Sequence, residues 1–211
     1  MIEILRDGLR PIILLAMLAW GALPAQAAPP KLMLFGDSLM AGYGLPAEQG
    51  FAARLQDALE ADGYEVNIVN ASVSGDTSAA GLARLDWSLA ERPDAVLLEF
   101  GGNDMLRGLP PQDLSRNLTA MLERLRAENI PVLLMGMRAS PGLGASYVAA
   151  FDGVFPQLAD RFDVPLYPFF LEGVATIAVL NQADRIHPNA EGVRIIVGKM
   201  LPAVEALLKG L

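Results

Sequence analysis

The stretch KLMLFGDSLMAGYG, residues 31–44, sets the reading of the whole chain. Its apolar run stops at Gly36, and Asp37 and Ser38 follow at once, where a helix is about to begin. A strand that is apolar on both faces belongs in a sheet covered on both sides. A hydroxyl placed where that strand gives way to a helix stands at the sheet's rim, beside backbone N–H groups that suit an anion. The ordinary duty of a lone serine there is to cap the helix starting near Leu39. The rest of the sequence has to decide between a cap and a nucleophile.

Four further apolar runs repeat the pattern: EVNIVNAS (65–72), DAVLLEFG (94–101), PVLLMGM (131–137) and the short VPLYP (164–168). Helical periodicity fills the intervals, at about 48–62, 78–91, 112–129, 144–162 and 189–209. Buried strands alternating with helices predict a three-layer α/β/α sandwich around a five-stranded parallel sheet with right-handed crossovers. Such sheets bind ligands beyond the carboxyl ends of their strands. The segments that follow the strands are GDSLM, ASVSGDT, GGNDM and RASPG, and ADRIHPN precedes the last helix. Serine, glycine, asparagine, aspartate and histidine are thereby all assigned to one rim.

Composition narrows the chemistry. The chain has 211 residues and is 53% hydrophobic and 19% charged, which predicts one globular domain rather than disorder. A formal charge of −8 without a lysine/arginine cluster argues against a nucleic-acid partner. There is no cysteine, so disulfides, thiolate nucleophiles and cysteine metal sites are excluded. With a single histidine, His187, a metal would have to rely on carboxylates, and none is expected.

Residues 1–27 read as a leader. A short charged start precedes the apolar PIILLAMLAWGALP, and AQA ends at Ala27 with small residues flanking the glutamine. This predicts a secretory signal peptide cleaved near Ala27. The apolar run is shorter than the ~20 residues of a spanning helix. Residues 28–211 are then a single domain, periplasmic or secreted, without stable membrane insertion and by default a monomer.

One motif is a decoy. GYGLPA (42–47) matches a dinucleotide fingerprint, but its glycines begin six residues beyond the strand and Pro46 interrupts the helix that should hold phosphate. The second strand also ends without an acid for a ribose. No cofactor is expected.

A serine nucleophile needs a base, and His187 is the only imidazole. Asp184 lies three residues earlier, in a segment broken by Pro188, so one loop can present both side chains. The carboxylate would fix the ring tautomer and stabilise the imidazolium. For a developing alkoxide, Gly75 brings its N–H close because no Cβ intervenes, and Asn103 offers a side-chain amide.

Taken together these blocks resemble the SGNH (GDSL) hydrolase superfamily. Its four motifs stand in order as FGDSLMAGYG with Ser38, NASVSGDT with Gly75, EFGGNDML with Asn103, and DRIHPN with Asp184 and His187. The resemblance covers about residues 31–205. It implies a flavodoxin-like sandwich, in agreement with the strand count, and an acyl-enzyme formed on Ser38. It also implies His187 as general base and later acid, Asp184 as its partner, and an oxyanion hole made of the Ser38 and Gly75 N–H groups and the Asn103 amide. One departure is Arg185, where many members carry glycine.

Length, leader, NASVSGDT and LYPFFLEGVA resemble the small secreted bacterial arylesterases, acyl-CoA thioesterases and lysophospholipases. The expected partner is thus a small acyl ester or thioester. Apolar residues near the rim are candidates for the acyl chain: Leu106 and Leu109 after Asn103, and Leu143 and Tyr147 after the fourth strand. The segment 138–146, with two glycines and a proline, reads as a flap. Aryl ester, thioester and lysophospholipid all stay open at this point. The alternative is a secreted binding module that keeps the fold without turnover.

Overall fold

The computed structural model describes residues 28–211, so the leader expected over residues 1–27 lies outside the described residues. The apolar runs form strands β1 (Lys31–Phe35), β2 (Asn67–Asn70), β3 (Ala95–Glu99), β4 (Val132–Met135) and β5 (Leu166–Tyr167). Helices α1 (Ser38–Ala41), α2 (Phe51–Ala61), α3 (Ser78–Leu89), α4 (Gly102–Leu106), α5 (Pro111–Ala127), α6 (Ala145–Asp152), α7 (Val154–Phe162) and α8 (Ala190–Leu208) connect and follow them. Short 3₁₀ turns occupy Ala47–Gln49, Pro141–Leu143 and Ala178–Leu180.

All neighbouring strands pair in parallel, in the order β2-β1-β3-β4-β5. The chain winds one way from β1 to β2 and the other way from β3 to β5. The strand order therefore reverses between β1 and β3, where Leu34 faces Leu97 and Phe35 faces Leu98. A crevice opens at such a switch point because the two connections leave in opposite directions. Helix α2 packs against α8, while α3 packs against α5 and α5 against α7. The three central strands are dry: Leu32 to Phe35, Ala95 to Leu98 and Leu133 to Met135 have no solvent exposure, whereas β2, expected to be buried, lies at the sheet's edge with Asn67 and Asn70 exposed. This is the α/β/α architecture expected from the sequence.

The differences have local causes. The helix expected over 144–162 is two helices that meet at Gly153. Pro156 has no N–H to offer the carbonyl of Asp152, so one continuous helix would lose that bond. Two short helices escape periodicity altogether, because α1 and α4 each complete little more than a turn. They are nevertheless the elements that lead out of the switch point.

Among the described residues no helix is long and apolar enough to cross a membrane.

Candidate active site

Ser38 is the first residue of α1 and is 9% exposed. It does not cap that helix. Asp37 does, its Oδ1 accepting the Leu39 N–H at 3.0 Å. The serine hydroxyl is thereby free of the duty its position suggested. Its own N–H lies in the first turn, where a helix supplies no acceptor.

Ser38 meets the far end of the chain. The imidazole Nε2 of His187 lies 2.8 Å from Ser38 Oγ, and its Nδ1 lies 2.7 Å from Asp184 Oδ2. The other oxygen of Asp184 accepts the N–H groups of Ile186 and His187 at 2.9 and 3.0 Å. One carboxylate thus folds its own loop and orients the ring. Burial works against its charge, but bonds from the His187 ring and from the His187 and Ile186 backbone hold the carboxyl down to about 2. A carboxylate facing Nδ1 keeps the ring proton on that side and leaves Nε2 as the acceptor for the serine O–H.

The loop is anchored on both sides. Asn181 and Pro188 form an isolated antiparallel bridge, and the Gln182 N–H donates to the His187 carbonyl at 2.8 Å. The Gln182 amide also donates to the carbonyl of Tyr43, tying this loop to the one behind Ser38. The Tyr43 ring lies 4.6 Å from the imidazole, centroid to centroid. Asn189 caps α8 by accepting the N–H groups of Glu191 and Gly192. Within the turn, Arg185 adopts a φ of 60°. That is the left-handed region, where the glycine implied by the family resemblance would be at ease.

Asn103 sits in the first turn of α4, beyond β3, and its Nδ2 donates to Asp37 Oδ2 at 2.9 Å. One amide hydrogen is thereby committed and the other is left over. Gly75 takes a φ of 87°, and a Cβ there would meet nothing within 4 Å. The requirement for glycine is therefore the backbone conformation and not a collision. The Gly75 carbonyl accepts from Arg107, linking the loops after β2 and β3. The Gly75 N–H has no acceptor among the described residues.

The four apolar residues expected near an acyl chain fall in the segments that follow β3 and β4: Leu106 ends α4 and Leu109 lies just beyond it, while Leu143 ends the 3₁₀ turn before α6 and Tyr147 is in α6. Leu106 and Leu143 are exposed, and the Tyr147 hydroxyl donates to the Leu109 carbonyl at 2.9 Å. The Ser140 N–H also donates to the Met105 sulfur at 3.2 Å, so the expected flap is fastened to α4 at its start. Two surface concavities, one beside Ile130 and Phe162 and one beside Gln56 and Tyr64, lie at the other end of the sheet.

Sequence reasoning missed several side chains at this rim. Arg84 of α3 binds Asp76 at 2.6 Å, donates to the Gly36 carbonyl and also reaches that of Ala71. Its guanidinium lies 4.3 Å from the Phe35 ring centroid, so one cation joins the loops after β1 and β2. Asp37 and Glu99 were missed as well. The second had a visible signal, a lone acid inside the otherwise apolar DAVLLEFG.

The profile of the GDSL-like lipase/acylhydrolase family matches residues 34–195. Esterase TesA of Pseudomonas aeruginosa is 43% identical over 201 residues, covering 95% of this chain and all of that one. Thioesterase 1/protease 1/lysophospholipase L1 of Escherichia coli K12 is 40% identical over 199 residues, or 94% and 92% of the two chains. The solved structure of AlinE4, described as an SGNH-hydrolase family esterase, superposes with a TM-score of 0.73 at 46% identity over 86% and 98% of the chains.

Proposed function

The chain belongs to the GDSL-like lipase/acylhydrolase family, and on that premise we propose that Ser38 is the nucleophile of its ester hydrolysis. The protein is a serine esterase of the SGNH type acting on small-molecule esters. Its relatives carry enzyme names, and nothing in them favours the non-catalytic binding module.

The observation that supports the assignment is the unbroken path from Ser38 Oγ through the His187 ring to Asp184, at 2.8 and 2.7 Å. Ser38 Oγ attacks the ester carbonyl while Nε2 takes its proton. The carbonyl oxygen becomes an alkoxide, to which the Ser38 and Gly75 N–H groups and the uncommitted Asn103 hydrogen would donate. The imidazolium, steadied by Asp184, then gives its proton to the departing alcohol or thiol. Water repeats the sequence on the acyl-enzyme, releasing the acid and returning the proton to Ser38 Oγ.

For the acyl chain, Leu106, Leu109, Leu143 and Tyr147 are the lining we propose. They belong to the segments after β3 and β4 and would accept an acyl chain. Ester and thioester substrates give the same acyl-serine and differ only in the leaving atom, so thioesters and lysophospholipids fall within the same chemistry. The proposed working form is residues 28–211, a monomer outside the cytoplasm after removal of the leader. The deciding experiment is a panel of acyl esters, acyl-CoAs and lysophospholipids of graded chain length, assayed on wild type and Ser38→Ala. Hydrolysis that persists in Ser38→Ala would overturn the assignment.

A further inference from the structure

Glu99 ends β3 with no solvent exposure, although it is an acid in the middle of the sheet. Its Oε2 accepts the Asp37 N–H at 3.2 Å, while its Oε1 has no hydrogen-bond partner among the described residues. The fold makes room for it. A Cβ on Gly36 would lie 2.7 Å from Glu99 Oε2 and 2.8 Å from the Glu99 carbonyl oxygen, so the residue directly after β1 has to be glycine where this carboxyl crosses. Asp37 is itself 1% exposed, and its two oxygens already hold the Leu39 N–H and the Asn103 amide.

A buried carboxylate needs donors on both oxygens, and one left bare costs several kcal/mol. A neutral acid needs less: one acceptor for its O–H. The charged groups around the pair point the same way. Asp37 faces Glu99 from the β1–α1 turn and Asp104 faces it from α4, so two negative charges oppose a third. The neighbouring cation, Arg84, spends its hydrogen bonds on Asp76 and on the Gly36 and Ala71 carbonyls, and His187 acts on Asp37. Burial lifts both carboxyls. Asp37 is held back by its bonds from Leu39, Glu99 and Asn103, whereas Glu99 also meets the Asp37 charge and is driven well above the usual range.

We propose that Glu99 is a positioning residue of the esterase: as a neutral acid it donates its O–H to the Asp37 carboxylate, accepts the Asp37 N–H, and so fixes the oxygen that aims the Asn103 amide. The inference rests on the active-site assignment above. One proton between two buried carboxyls leaves a single negative charge beneath the oxyanion site. Were both ionised, the second charge would oppose the alkoxide that Asn103 is placed to receive. The same clamp reaches Ser38, because Asp37 also holds the first turn of α1.

The proton can be read without turnover. The infrared spectrum of wild type minus Glu99→Gln at pH 8 shows the C=O band of a protonated carboxylic acid. Kinetics with p-nitrophenyl butyrate supply the second readout. Glu99→Gln can still donate to Asp37 and accept its N–H, so its kcat exceeds that of Glu99→Ala by about tenfold or more, with KM alike in the two. If Glu99→Ala does not fold, the infrared band and the kcat of Glu99→Gln, within about tenfold of wild type, decide the matter. A difference spectrum without the band overturns the proposal, as does a Glu99→Gln enzyme as slow as Glu99→Ala or, where that variant does not fold, one that falls outside this range. Ser38→Ala is assayed alongside: activity there would refute the nucleophile, an outcome separate from any reading of the Glu99 band.

Discussion

The His187 imidazole and the Ser38 hydroxyl, 149 positions apart in the chain, meet at 2.8 Å across the crevice where the strand order reverses. His187 is the only histidine in the chain, so no other imidazole can take its place. Replacing His187 by alanine should lower kcat for p-nitrophenyl butyrate by about 10³-fold or more while the far-ultraviolet circular dichroism stays unchanged. A variant that retains a tenth of wild-type turnover would remove His187 from the reaction.

The Asn103 amide has one hydrogen on Asp37 and one to spare. In the proposed oxyanion hole the spare hydrogen would act on charge that exists only during reaction, so Asn103→Ala should cost about 10²–10³ in kcat with a small change in KM. Unchanged kinetics would take it out of the oxyanion hole. Asn103→Asp should be at least as damaging, since it sets a second carboxylate against Asp37.

Asp184 gives an acid limb to stability. Its folded value of about 2 lies below the ~3.9 of an unfolded aspartate. The folded protein therefore binds this proton later than the unfolded chain does. Its contribution is complete above about pH 5 and disappears as pH falls through 4 toward about 2. Urea midpoints of wild type and Asp184→Asn should differ at neutral pH and converge over that interval. A constant gap down to pH 2 would contradict the bonds drawn here.

Glu99 has the opposite sign. A carboxyl whose folded value is raised keeps its proton after the unfolded chain has lost its own, so stability declines as pH climbs above about 4.3. Glu99→Gln, which cannot ionise, should gain on wild type in urea denaturation as pH rises above about 4.3. Parallel curves would mean that Glu99 titrates as an ordinary acid.

Arg185 holds a φ of 60°, a conformation that costs a side chain about 1–2 kcal/mol. Glycine relieves that cost but gives back about 0.4–1 kcal/mol to the unfolded chain. Arg185→Gly should therefore be neutral to about 1.6 kcal/mol stabilising, and Arg185→Val, with a β-branch, clearly destabilising. Equal urea midpoints for the two variants would show that the turn is unstrained.

The sheet and the rim were legible because apolar runs such as DAVLLEFG can only be buried, and because parallel strands put all their ends on one side. Ser38, Gly75 and Asn103 could each be placed from the strand they follow, and Asp184 and His187 from the helix they precede. What stayed hidden lies in relations between elements. Nothing in the local sequence says that Asp37 caps α1 in place of Ser38, or that Arg84 gathers two loops. The break at Gly153 was written three residues downstream, in a proline whose missing donor matters only to the preceding turn. Glu99 was visible as an anomaly, but its partner was not, since they lie 62 residues apart and meet only through the pairing of β1 with β3.

The loop bearing His187 is fixed at one end by the cap of α8, and α8 is seated against α2. Ser38 is made 149 residues before His187. If His187 is the base proposed above, a nascent or unfolding chain whose final helix is undocked should be inert toward esters, however well its sheet has formed. Loosening that helix alone should silence the enzyme before the core melts, so residual turnover during gentle denaturation reports the seating of one helix, not the integrity of the whole.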